Sequence, residues 1–177
     1  MIAKREYAKA IFMLAIEENS CEDVLLDLRA AVGAVKENDR YLDLLDTPAL
    51  SKEERLSLID GAFSSLDGSV VNLIKILSEK RSSRLIPEIL KEYEALYDER
   101  FNILRVEAIS ARPMTDAQIS ALKEKLEREK GKAVVISNSV DKGILGGLKL
   151  RFSGIQLDGS LKTRLDKIDA SLKNVIV

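Results

Sequence analysis

Histidine is absent from this 177-residue sequence. With it go the commonest general base, the commonest metal ligand and the side chain that titrates near neutral pH. A Ser-His-Asp set, a Cys-His pair and a histidine-based zinc-protease motif are all excluded. Cysteine occurs once, at Cys21. That rules out an intrachain disulfide or a multi-cysteine metal site and fits a reducing, cytosolic home. No apolar run approaches the ~20 residues that a membrane-spanning helix needs. The opening Met1-Ile2-Ala3-Lys4-Arg5-Glu6 carries an acidic residue and leads into a helical pattern, so it reads as neither a secretory nor a transit signal. Aromatic residues make up 5% of the chain, and beyond Phe101 the only one is Phe152. Single-stranded nucleic-acid binders need aromatic stacking platforms, and one ring does not make one.

What is present describes a globular protein. Hydrophobic residues are 46% of the chain and charged residues 32%, enough for one large domain or two small ones with real cores. The net charge of −1 conceals an asymmetry: up to Arg105 there are 15 basic and 20 acidic residues, and after it 13 and 9. Opposite charge in the two halves points to two modules with different partners. The basic excess of the second half is modest beside that of nucleic-acid-binding domains. It reads as a solvated basic face, or as a surface for an acidic protein partner.

The first hundred residues repeat apolar side chains at three- and four-residue spacing, the helical period. A first helix is expected from Lys4 to Glu17. Ser20 is placed to cap a second, with Glu22 and Asp23 in its first turn and Val24, Leu25, Leu28 and Val32 on one face. A short helix follows through Tyr41 to Leu45, and Thr47-Pro48 ends it. Ser51-Lys52-Glu53-Glu54 is a capping box opening a helix to Phe63. Asp67-Gly68-Ser69 caps another through Val70 to Lys80, and Pro87 starts a sixth toward Phe101. After Phe101 the pattern changes. Ile103 to Ala111 reads as a strand, and Thr115-Asp116-Ala117-Gln118 caps a helix to Glu129 that Gly131 stops. Ala133 to Ile136, Leu148 to Phe152 and Ile155 to Leu157 read as strands, the last two flanking a turn at Ser153-Gly154. Asp158-Gly159-Ser160 leads into a last helix, Leu161 to Lys173. The expected fold is α+β overall: an N-terminal six-helix bundle over residues 1–105, followed by a small α/β C-terminal domain over residues 106–177.

Five of the nine glycines fall between Lys142 and Leu165, which raises the question of a phosphate loop. The P-loop pattern needs lysine directly after its last glycine, and Leu148 follows Gly147. Gly146-Gly147 precedes a strand, whereas phosphate loops precede a helix whose amides face the anion. Asp158, in the one turn that enters a helix, would repel phosphate. These glycines read as turn formers. Asp141 and Asp158 are the carboxylates a histidine-free enzyme would use there, and both precede turn glycines, where aspartate ordinarily bonds local backbone. No catalytic residue, cofactor or metal is expected.

The segment Tyr7-Ala8-Lys9-Ala10-Ile11-Phe12-Met13-Leu14-Ala15-Ile16 is apolar at nine positions in ten, more than the single stripe of a surface helix. Ala8, Phe12 and Ala15 share one face; Tyr7, Ala10, Ile11 and Leu14 share another. A similar excess appears in Val70-Val71-Asn72-Leu73-Ile74-Lys75-Ile76-Leu77, six apolar in eight. Either these helices lie at the centre of their bundle, or one face of each is open to a partner helix, the helix-in-groove mode of recognition.

Tyr7-Ala8-Lys9-Ala10-Ile11-Phe12 resembles the opening of the delta subunits of F-type ATP synthases, the family of the mitochondrial oligomycin-sensitivity-conferring protein. The resemblance continues through Leu45-Asp46-Thr47-Pro48-Ala49-Leu50-Ser51, Asn72-Leu73-Ile74-Lys75-Ile76-Leu77 and Leu85-Ile86-Pro87-Glu88-Ile89 to Tyr93. It closes with Val140-Asp141-Lys142-Gly143-Ile144-Leu145-Gly146-Gly147 and Ile155-Gln156-Leu157-Asp158-Gly159-Ser160-Leu161. It implies a non-enzymatic stator subunit of the peripheral stalk, with a six-helix N-terminal domain and an α/β C-terminal domain. The first and fifth helices would form a groove for N-terminal helices of alpha subunits, involving Tyr7, Ala10, Ile11, Leu14, Asn72, Leu73 and Ile76. The C-terminal domain would meet the C-terminal region of the membrane-anchored b subunits. The expected setting is peripheral, at the cytoplasmic face of a bacterial plasma membrane, as a monomer within the complex, with no nucleic acid and no membrane insertion of its own. Where the family has Arg-Leu, this chain has Ser82-Ser83, so an arginine role there would pass to Arg81 or Arg84. The alternative is a two-domain adaptor unrelated to ATP synthase.

Overall fold

The computed structural model describes residues 2–38, 40–144, 146–152 and 155–158. It divides into two compact units between Glu99 and Arg100. The expected boundary at residue 105 falls inside a strand, which begins at Ile103.

The first unit holds α1 (Ile2–Glu17), α2 (Cys21–Glu37), α3 (Arg40–Asp46), α4 (Lys52–Phe63), α5 (Gly68–Glu79) and α6 (Ile86–Arg100), the last entered through a short 3-10 turn, Ser83–Leu85. Local chemistry sets two of the starts. Ser51 accepts from the Glu54 amide, and the Glu54 carboxylate takes the Ser51 N–H at 2.9 Å, a complete capping box on α4. Asp67 accepts from the Ser69 amide at the head of α5. The expected Ser20 cap on α2 does not form. Ser20 has φ −111° and ψ 20°, not the extended backbone that a capping hydroxyl needs. Its backbone is used instead, accepting from Val24 and donating to Ala15, while Asn19 turns the chain in the left-handed region.

The core of this unit is the set of inward faces the helical period marks. Ala8, Phe12, Val24, Leu28, Ile59, Val70, Ile74, Leu77, Ile89 and Tyr93 belong to one buried cluster. Phe12 and Tyr93 meet edge to face with centroids 5.2 Å apart, and the Tyr93 hydroxyl donates to the Cys21 carbonyl at 3.0 Å. The break at Pro48 leaves carbonyls without helical N–H partners, and burying them unpaired would cost free energy. Arg55, 8% exposed, lies against them and donates to Thr47 and Leu50, both at 3.2 Å. Nothing in the spacing of the sequence marks that arginine as buried.

The second unit contains β1 (Ile103–Ser110), α7 (Asp116–Lys130), β2 (Ala133–Val140), β3 (Leu148–Phe152) and β4 (Ile155–Asp158). The strands form one mixed sheet in the order β2-β1-β3-β4. β1 and β2 run parallel, joined through α7, and the other pairs are antiparallel. Val106, Val134, Phe152 and Leu126 make the small core, with Leu104, Ile136, Leu150 and Leu122 around it. Thr115 completes a second capping box with Gln118, and Gly131 ends α7 in the left-handed conformation, φ 63°. β2 runs four residues beyond the expected Ile136. Its polar end is held by specific bonds: the Asn138 amide donates to the Ala108 carbonyl at 2.7 Å, and the Ser139 hydroxyl to Glu107 at 2.9 Å. Gly147 turns the chain into β3 with φ 90°, and Asp141 accepts from the Gly143 amide at 2.8 Å, the local duties expected of both. The turn at Ser153-Gly154, the cap at Gly159-Ser160 and the expected helix from Leu161 to Lys173 lie outside the described residues.

Candidate partner-docking groove

α1 turns Ala8, Phe12 and Ala15 into the core. Its adjoining face is left over. Ala10 is exposed and Leu14 is 41% exposed. α5 repeats the arrangement: Val70, Ile74 and Leu77 are buried, while Asn72 is exposed and Ile76 is 44% exposed. The two leftover faces adjoin and form a groove of about 210 Å³ lined by Tyr7, Ala10, Ile11, Leu14, Ser69, Asn72, Leu73 and Ile76.

All seven residues singled out in the sequence therefore line one groove, but not in equal roles. Ile11 and Leu73 are 5% and 6% exposed and belong to the bundle core as well. They form the floor, while Ala10, Leu14, Asn72 and Ile76 form the walls. Ser69, three residues before Asn72 on the same stripe, joins them, a position the sequence pattern does not mark. Both readings of the two-sided helix thus hold in part: α1 is packed against its bundle on one face and open on the next.

Tyr7 closes one end. The Lys80 ammonium lies over its ring, 5.4 Å from the centroid, within the range of a cation–π contact. Lysine is cationic at neutral pH, so this end of the groove is positive, and contact with Tyr7, chiefly a hydrogen bond, raises the Lys80 pKa above its ordinary 10.5. The arginines considered for that task are placed otherwise. Arg84 is committed to Asp43, with Nη2 at 2.6 Å, and Arg81 is an exposed residue in the left-handed region just past α5. Ser83 is fully buried, its amide donating to both oxygens of Asp46 at 3.1 Å.

Ion pairs outside the groove tie each of its two helices to a neighbour. Lys75 on α5 meets Asp60 on α4 at 2.5 Å, and Lys4 on α1 meets Glu88 on α6 at 2.8 Å. Among the described residues two larger concavities also occur. One, about 500 Å³, lies on α3 beside Tyr41 and Leu44; the other, about 680 Å³, lies between the start of α7 and Gly146-Gly147. The second meets a helix end where a capping box already takes the Thr115 and Gln118 amides. Neither pairs apolar stripes from two helices. Among the described residues no cluster of His, Cys, Asp and Glu is built to hold a metal ion, and no helix is long and apolar enough to cross a membrane.

A helical unit with an open apolar groove, followed by a small mixed-sheet unit, is the kind of chain that docks to partners in a larger assembly. Comparison with known proteins gives the assembly. Residues 2–172 match the family described as ATP synthase delta (OSCP) subunit. The chain is similar to ATP synthase subunit delta of Clostridioides difficile (strain 630), 36% identical over 99% of this chain and 98% of that one. It is also 35% identical to ATP synthase subunit delta of Caldanaerobacter subterraneus subsp. tengcongensis, over 99% and 96% of the two chains. In fold it resembles a chain in a cryo-EM structure of the Toxoplasma gondii mitochondrial ATP synthase hexamer, with TM-score 0.74 and 20% identity over 97% of this chain and 98% of that one. The chain belongs to the ATP synthase delta (OSCP) subunit family, and its role is that of a stator subunit. The reading as an unrelated adaptor finds no support.

Proposed function

We propose that the α1–α5 groove receives N-terminal helices of alpha subunits of the catalytic head, and that the C-terminal unit meets the C-terminal region of the b subunits. The chain then ties the head to the membrane-anchored stalk at the cytoplasmic face of a bacterial plasma membrane, as a monomer and without entering the bilayer. Its task is mechanical. The turning rotor drags on the head, and the stator resists that drag by tight, pre-organised docking, with no catalytic residue, cofactor or metal of its own.

The observation that carries this reading is the pair of unburied apolar walls, Leu14 and Ile76, facing one groove over a buried floor. An amphipathic helix laid there would cover both walls. A stable interface of ordinary size buries about 800 Å² on each partner, which a helix of several turns in the groove and on its rims supplies. The bacterial relatives named above support the setting. The test is affinity isolation of tagged full-length protein from native membranes. Alpha and b subunits are expected together. Recovery of neither would overturn the stator reading, and recovery of b alone would overturn the assignment of the groove to alpha.

A further inference from the structure

The groove has charged ends as well as apolar walls. On α1 the stripe Tyr7, Ala10 and Ile11, Leu14 continues at Glu17; on α5 the stripe Ser69, Asn72 and Leu73, Ile76 continues at Lys80. Tyr7, early in α1, lies beneath Lys80, just past the end of α5. The helices therefore run in opposite directions along the groove, and Glu17 sits at the end away from Lys80, about 15 Å from Tyr7 by helical rise.

Lys80 and Glu17 carry no ion pair among the described residues, whereas several charges near them do. Lys75 is held by Asp60, Lys4 by Glu88 and Glu92, and Lys9 by Glu6. Glu79, next to Lys80, is taken by Lys52 at 2.6 Å. Among the described residues, Lys80 faces no carboxylate, its contact being the Tyr7 ring, and Glu17 carries no ion pair. Glu18, exposed beside Glu17, adds to the acidic end. Charges left unpaired at the two ends of an apolar seam do little for the fold. They set the register and direction of whatever lies in the seam, because like charges brought together there cost more than opposite charges gain.

Resting on the reading that the groove takes a helix of the alpha subunit, we propose that the groove fixes the direction of that helix by charge. The occupant presents an acidic side chain at the Tyr7–Lys80 end and a basic side chain at the Glu17 end of its apolar stripe. Apolar contact supplies the affinity, and the charged ends exclude the reversed orientation.

The test titrates the full chain and its Lys80→Glu and Lys80→Met variants with a synthetic peptide of the alpha N-terminal sequence, at 50 and 500 mM salt. Lys80→Glu is expected to weaken binding roughly fivefold at low salt, with Lys80→Met intermediate, since solvated ion pairs are individually weak. The difference should fade at high salt, where screening shortens to about 3–5 Å. A peptide in which the acidic residue at that end is replaced by lysine should recover the lost affinity with Lys80→Glu. An unchanged affinity of Lys80→Glu at low salt, or a loss that persists at high salt and resists the charge swap, would overturn the proposal while leaving the groove reading intact. No binding of the peptide to the unaltered chain would overturn the groove reading itself, and this proposal with it.

Discussion

Ala8 and Ala10 sit two residues apart on α1 and should respond to the same substitution in opposite ways. Ala8 is 0% exposed in the bundle core, whereas Ala10 is exposed on the groove wall. Ala10→Asp in the free protein leaves its carboxylate in water, and the cost to the fold is the lower helix propensity of aspartate, about 0.7 kcal/mol. For a unit of this size that lowers the melting temperature by roughly 3–6 °C. With a helix in the groove the same carboxylate is desolvated without a partner, at a cost of about 3 kcal/mol or more. Affinity for the alpha peptide should then fall by over ~100-fold. Ala8→Asp buries its charge in the folded state at once, a penalty on the scale of the ~5–15 kcal/mol that holds a domain together, and should abolish cooperative melting. Calorimetric titration and thermal melting of the three proteins decide the matter. Unchanged affinity in Ala10→Asp, or a melt as damaged as that of Ala8→Asp, would refute the division of α1 into a core face and a groove face.

Other consequences are independent of the partner. A fragment of residues 1–100 should fold alone and melt cooperatively, because the division between the units falls at Glu99; a non-cooperative circular-dichroism melt would count against it. Gly131→Ala should cost the second unit about 1 kcal/mol in urea denaturation. A Cβ there meets no neighbour within 4 Å, so the cost is that of φ +63° alone. The Glu54 pKa lies below its ordinary 4.5, first because the Ser51 backbone N–H bonds the carboxylate. A depressed folded-state pKa gives stabilisation that is complete above 4.5 and lost as pH falls through the folded value. The melting-temperature gap between the unaltered protein and Glu54→Gln should therefore be widest at neutral pH and close on acidification toward pH 3; a gap that widens toward pH 3 would reverse the assigned sign.

The legibility of this chain divides along a physical line. Features fixed by neighbours a few residues away were open to reading. The capping boxes at Ser51 and Thr115 place two helix starts, Gly131 places an end, and the excess of apolar residues on α1 and α5 marks helices that are either central or open on one face. Features fixed by distant partners were hidden. Ser20 has the right residue type for a cap, but the turn at Asn19 sets its backbone elsewhere. The polar run Ser137 to Ser139 looks like the end of β2 until β1 supplies Ala108 and Glu107 as partners. Ile11 and Leu73 carry the right pattern for the groove, yet only packing shows them as floor rather than wall. Lys80 belongs to the groove because α1 brings Tyr7 beneath it from 73 positions earlier.

Amide chemical-shift mapping of the full chain, titrated with the alpha N-terminal peptide, reaches the groove most directly. Docking between α1 and α5 should move the amides of Ala10, Leu14, Asn72 and Ile76 at the lowest peptide ratios and leave those of β1 and α7 in place. Saturable binding that moves α3 or the sheet instead, with the groove amides still, would contradict the assignment of this face to the catalytic head.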